Sequence, residues 1–226
     1  MIRGGLGGGR QIGWGLGYLQ AVAQILDMEL TEVLISNVAA AEIAASGSNE
    51  FEFDIGSAAF IIDGIFIYST ATGTDVDLIF NVEAYQKDGI NLSAAAAHDL
   101  DWAFNLLFRE DAILLHNTQL TATEPADETA LAVDDNDKLS KYSLILVDEE
   151  EYHRVSALTS TTGITIYDGL VAEQADNDPV WQVYERKNLG LCFNKSTDTK
   201  LYVRVENNDA VTARTFKVIV KATKLA

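Results

Sequence analysis

The chain has 226 residues, 48% of them hydrophobic, with 34 acidic against 16 basic side chains and a formal net charge of −18. A chain this apolar can build a core, and an acidic balance this strong excludes a general nucleic-acid binder, which needs clustered Lys and Arg to meet phosphates. Cys192 is the only cysteine, so no intrachain disulfide forms; with two prolines and no Pro/Ser-rich linker, one dominant domain is the simpler organisation.

The charge is segregated. No acidic residue precedes Asp27, residues 27–185 hold 31 acidic and five basic side chains, and residues 186–226 hold nine basic and three acidic ones. Solubility accounts for such a distribution; so does an arrangement in which the basic ends of one subunit meet the acidic surface of a neighbour. The first 17 residues, MIRGGLGGGRQIGWGLG, contain eight of the sixteen glycines. Glycine loses the most backbone freedom on ordering, so this arm is expected to become fixed only against something else. Gln20 and Gln24 interrupt the apolar stretch Ile12–Leu26, and neither a signal-peptide pattern nor a spanning helix results. Synthesis in the cytosol as a soluble protein is the expectation.

Tyr18–Glu32 is the best helix, with Leu19, Val22, Ala23, Leu26 and Leu30 near helical spacing. Beyond it the period changes to two. Val33–Ile43 reads as a strand, Ser46–Asn49 as a turn, and Glu50–Ile55 alternates cleanly. Phe60–Tyr68 is a continuous apolar run suited to a central strand, and Val76–Tyr85 alternates again; the Gly-containing turn between them predicts a hairpin. Leu92–Glu110 fits a short helix or a strand equally. Leu114–Thr123 is read as a strand and Glu124–Lys138 as an exposed acidic loop. Strands follow at Tyr142–Val147, Gly163–Tyr167, Val180–Tyr184, Gly190–Asn194, Leu201–Glu206 and Thr215–Ala222, the last three joined by hairpin-like connectors. Many short strands with turns every eight to twelve residues predict a mainly all-β fold: an antiparallel β-sandwich or jelly roll behind a Gly-rich arm and one helix. The expected division is an arm and helix over residues 1–32 and a β body over residues 33–226.

No catalytic set stands out. The arm lacks both the P-loop spacing and the third glycine of the dinucleotide fingerprint, and no strand precedes it. His98, His116 and His153 are far apart, and His98 with Asp99 and Asp101 lacks a zinc-binding spacing. Cys192 sits between Leu191 and Phe193, where a cysteine is usually a small buried hydrophobe. Asp134, Asp135 and Asp137 offer hard oxygens as calcium candidates, without the EF-hand register. Asp75 and Asp77 alternate on one strand face and read as solvent-facing. Trp181 suits core packing, whereas Trp14, embedded among glycines, reads as an anchor for a partner.

The arm GGLGGGRQIGWGLG, the segment FEFDIGSAAFIIDGIFIYSTATGTDVDLIF and the closing segments WQVYERKNLGLCFNKSTDTKLYVRVENN and TARTFKVIVKATKL resemble structural proteins of tailed-bacteriophage virions, such as capsid decoration, head-fibre or tail-accessory subunits. The resemblance implies a non-enzymatic virion protein, made in the host cytoplasm, homo-oligomeric and often trimeric, with an N-terminal segment that docks onto other virion proteins. Arg3, Arg10, Trp14, Leu16, Leu19 and Val22 are then the docking residues, with no cofactor, nucleic acid or membrane involved. A carbohydrate-binding sandwich with an aromatic platform, assisted by calcium, is the competing expectation.

Overall fold

A computed structural model describes residues 30–54, 60–87, 106–192 and 200–225. Among them every regular element is a strand: β1 (Leu30–Ile43), β2 (Ser48–Asp54), β3 (Phe60–Ser69), β4 (Val76–Lys87), β5 (Leu106–Gln119), β6 (Ala130–Ala132), β7 (Leu144–Val147), β8 (Glu151–Ser160), β9 (Gly163–Ile166), β10 (Pro179–Cys192), β11 (Lys200–Asn207) and β12 (Arg214–Leu225). All pairings among the described residues are antiparallel, and the described part of the chain is all-β and sandwich-like.

Two four-strand sets face each other. One runs β1-β12-β3-β10 and the other β2-β11-β4-β5. Period-two alternation sends one side of each strand inward: Phe51 and Phe53 of β2, Leu78, Phe80, Val82 and Ala84 of β4, Leu201, Val203 and Val205 of β11, and Phe216, Val218, Val220 and Ala222 of β12 form one apolar core. Each fully buried side chain of this size contributes about 1.5–3 kcal/mol relative to exposure. In β3 a bulge around Asp63 and Gly64 resets the alternation, bringing Ile62 and Ile65 to the same core. The Asp63 carboxylate accepts a 2.8 Å bond from Thr223 Oγ1 there, which explains an acid within an apolar run.

The segment between β5 and β10 forms a lobe with a core of its own, including Leu120, Leu131, Val133, Ile145, Val147, Val155, Ile164 and Val180. The lobe continues the sheet through β7, β8, β9 and β6. β10 joins the two parts. Its first residues pair with β5 and β7, and from Tyr184 onward it pairs with β3. Trp181 and Val183 of β10, Leu146 of β7 and Tyr68 of β3 pack at this seam.

Several expectations are corrected. Leu30–Glu32 are in β1 and not in a helix; the rest of Tyr18–Glu32, the arm, and most of Leu92–Glu110 lie outside the described residues, while Leu106–Glu110 open β5. β3 and β4 form no hairpin: β3 pairs with β10 and β12, β4 with β5 and β11, so residues 70–75 cross between the facing sets. Neither β10 with β11 nor β11 with β12 forms a hairpin either, because β11 lies between β2 and β4. Val180–Tyr184 and Gly190–Asn194 are not two strands; β10 runs through Cys192 with a register shift between Lys187 and Gly190. Glu124–Lys138 is no free loop, since it contains β6 and buries Leu131 and Val133. β8 carried no apolar alternation, because two of its inward positions are Glu151 and His153.

Candidate functional site

The best-developed polar constellation lies where the β3–β4 connection, β5 and the lobe meet. Asp77 and His116 are cross-strand partners in the β4–β5 ladder, and Asp75 precedes Asp77 by two residues. The His116 side chain is wholly buried; Nδ1 lies 3.1 Å from Asp77 Oδ1 and 3.7 Å from Asp75 Oδ1, and Nε2 lies 4.0 Å from Asp135 Oδ2. Among the described residues Nε2 has no hydrogen-bond partner. Lys138 bonds to the second oxygen of Asp77.

A buried hydrogen-bond frame fixes these groups. Asn117 Nδ2 donates to the carbonyls of Ser69 (2.9 Å) and Ala71 (3.0 Å), and its Oδ1 accepts from Gln182 N. Thr118 Oγ1 donates to Thr74 O at 3.3 Å and accepts from Asp135 N at 3.2 Å, linking the connection, β5 and the lobe through one hydroxyl. Trp181 donates its indole N–H to Ala71 O and stacks on Tyr68 with centroids 6.0 Å apart. Such buried groups are costly unless paired, and here they hold the acidic residues in register.

The charges are interdependent. Burial pushes the Asp77 carboxyl up, but the bonds from Lys138 and His116 outweigh it and hold the group below the ordinary range. The Asp77 contact in turn raises Lys138. Asp135 is lowered by the hydrogen bond with the Asp137 side chain and by the Asp137 N–H, while Asp137 is raised by the same carboxyl pair. Each of Asp75, His116 and Asp135 places a ligand-type atom within 4.8 Å of the others.

Of the calcium candidates, Asp135 is in this cluster and Asp137 bonds to it; Asp134 keeps one buried carboxylate oxygen without a partner. Arg3, Arg10, Trp14, Leu16, Leu19 and Val22 lie outside the described residues, as do His98, Asp99 and Asp101. Asp75 and Asp77 face solvent as the alternation suggested, and they also flank a buried histidine, which the alternation did not show. His116 was not singled out because its partners are about 20 to 40 residues away and meet it only through the β4–β5 register and the lobe. Part of the basic C-terminal charge is used within the chain: Lys217 pairs with Glu149 at 3.0 Å, and Arg186 with Glu110 at 2.8 Å.

A second feature lies on the lobe surface. Tyr142 and Tyr167, 59% and 51% exposed, stack with centroids 6.1 Å apart and planes 10° from parallel, and Lys141 Nζ lies 5.0 Å from the Tyr142 ring. No family model, curated protein or solved structure matches the chain.

Proposed function

We propose that the chain is a non-enzymatic structural subunit of a virion of the tailed-bacteriophage kind, a capsid decoration or accessory protein that associates with copies of itself and docks through residues 1–32. The observation that carries this reading is the strand order. Sets β1-β12-β3-β10 and β2-β11-β4-β5 are filled by chain segments that cross between the facing sheets at nearly every connection. That is the order of a jelly roll, a double-sheet architecture used by capsid and lectin domains. The space between the sheets is packed with Phe, Ile, Leu and Val side chains, which suits a load-bearing scaffold with its contacts on the outside. Trp14 and Leu16 in the glycine-rich arm, with Leu19 and Val22 just after it, supply an aromatic and apolar anchor, and Arg3 and Arg10 supply positive charge, for an arm that conforms to a receiving surface.

Light scattering coupled to size exclusion tests this on the full chain and on a variant lacking residues 1–26. The expected result is a defined oligomer, or association that the truncation abolishes; a monomer in both forms refutes the reading. The exposed Tyr142–Tyr167 pair favours a second reading, a carbohydrate-binding module, since aromatic faces stack on sugar rings. Saturable glycan binding that Tyr167→Ala removes would select it.

A further inference from the structure

We infer that His116, Asp75 and Asp135 form a binding site for one divalent transition-metal ion, of the Zn²⁺ or Mn²⁺ class, which clamps the lobe to the β4–β5 ladder. This does not depend on the assembly reading.

The argument starts from the histidine. An ionised carboxylate only accepts hydrogen bonds, so Asp77 Oδ1, 3.1 Å from Nδ1, assigns the ring proton to Nδ1. Nε2 is then a lone-pair donor, fully buried, with no hydrogen-bond partner among the described residues. A buried acceptor without a partner costs about 1–3 kcal/mol. Protonating Nε2 does not remedy this, because the nearest carboxylate oxygen, on Asp135, is 4.0 Å away and beyond hydrogen-bond reach. Two acceptors therefore face each other across that gap. Metal bonds of about 2.0–2.2 Å to each span it.

The surrounding chemistry agrees. A carboxylate on Nδ1 with Nε2 left for the metal is the usual way in which a ligating histidine is oriented. Lys138 occupies the other oxygen of Asp77, which keeps that carboxylate in the orienting role. Asp135 faces Nε2, and Asp75, 3.7 Å from Nδ1 with a ligand atom within 4.8 Å of that of Asp135, is the second anionic ligand; with neutral imidazole the two balance a charge of two. One nitrogen and two or more oxygens suit Zn²⁺ or Mn²⁺ better than Ca²⁺, which prefers an all-oxygen shell. The His116 side chain is buried and that of Asp75 is 59% exposed, so the site opens to solvent on the Asp75 side, where water completes the coordination.

The test uses the full chain after chelator treatment and dialysis. After reloading with Zn²⁺ or Mn²⁺ and a second dialysis without chelator, metal analysis is expected to show one equivalent bound. At a hundredfold excess over Kd, the ion should raise Tm by about 5–10 °C. Asp135→Asn and Asp75→Asn should each abolish the rise, whereas Asp176→Asn, at an acidic turn remote in sequence, should leave it intact. In nuclear magnetic resonance spectra, metal should shift the His116 Nε2 signal while Nδ1 keeps its proton. No rise with either ion, or a rise that survives Asp135→Asn, overturns the assignment, as does an Nε2 that stays protonated in the presence of metal.

Discussion

Glu151 is a carboxylate inside the lobe that acts as a backbone clip. Its oxygens accept from Val171 N at 2.7 Å, Ala172 N at 2.8 Å and Gln174 Nε2 at 3.1 Å, and one lies 3.0 Å from His153 Nε2. Burial raises its pKa, yet the bonds from Val171, His153, Ala172 and Gln174 prevail and the group is held below its usual 4.5. A depressed carboxylate contributes stability that is present above the unfolded value and lost as pH falls through the folded one. Glu151→Gln should therefore cost about 1–3 kcal/mol at pH 7 and flatten the loss of stability below about pH 4.5, read from urea melts at pH 7 and pH 3. Glycines supply a second contrast. A Cβ at Gly169 would lie 2.6 Å from Asp127 O and 2.8 Å from its Cα, whereas at Gly163 the closest atom is Thr159 Oγ1, on a side chain that can rotate. Gly169→Ala should cost about 2–3 kcal/mol and Gly163→Ala under about 1 kcal/mol by the same melts. The polar groups that matter most, His116, Asn117 and Glu151, are buried in strands, the first two on opposite faces of β5. A search for apolar alternation passes over them, because their burial is earned by partners distant in sequence.

At the level of elements, strands were easier to read than their neighbours. β2, β4 and β11 follow period-two alternation within a residue or two of their observed bounds, and β12 runs three residues beyond its expected end. Alternation reports which face a residue takes and is silent on which strand lies alongside. Proximity in sequence then favoured hairpins at β3–β4 and β11–β12, where the chain in fact crosses to the facing sheet. The hairpin that does form between β7 and β8 had no visible signal, for it turns at Asp148-Glu149 and lacks a glycine. Both residues have positive φ, 47° and 60°, and Glu150 N bonds to Val147 O, as in a primed turn. Burial and the charges of Asp178, Glu150 and Glu149 also raise the Asp148 carboxyl. Replacing Asp148-Glu149 by Asn-Gly should stabilise the protein by about 1 kcal/mol, seen as a higher denaturant midpoint with unchanged slope. The Lys217–Glu149 pair lost in the exchange is at the surface and contributes little.

Across the whole molecule, the two cores are tied by strands and not by a linker. β10 carries residues of both, β5 runs from the sandwich core directly into Leu120 of the lobe core, and Leu146 packs at the seam against Trp181. Leu146→Ala should cost about 2–5 kcal/mol. Because the seam is common to both parts, amide hydrogen exchange should accelerate equally in β9 and β12; acceleration confined to β9 would show that the lobe opens alone. The acidic surplus is concentrated on the lobe, where residues 120–178 carry 14 acidic and three basic side chains, so added salt should favour any association that brings lobes together. The pairing of β1 with β12 has a mechanical side. Leu30 lies opposite Leu225, so the described chain enters and leaves at the same end of this ladder. Tension applied through those two ends loads the rungs one after another, as a zipper opens, and does not shear them together. β1, on the outer edge of its sheet, is then the strand that yields first, while the shared strand β10 stays shielded behind β12 and β3.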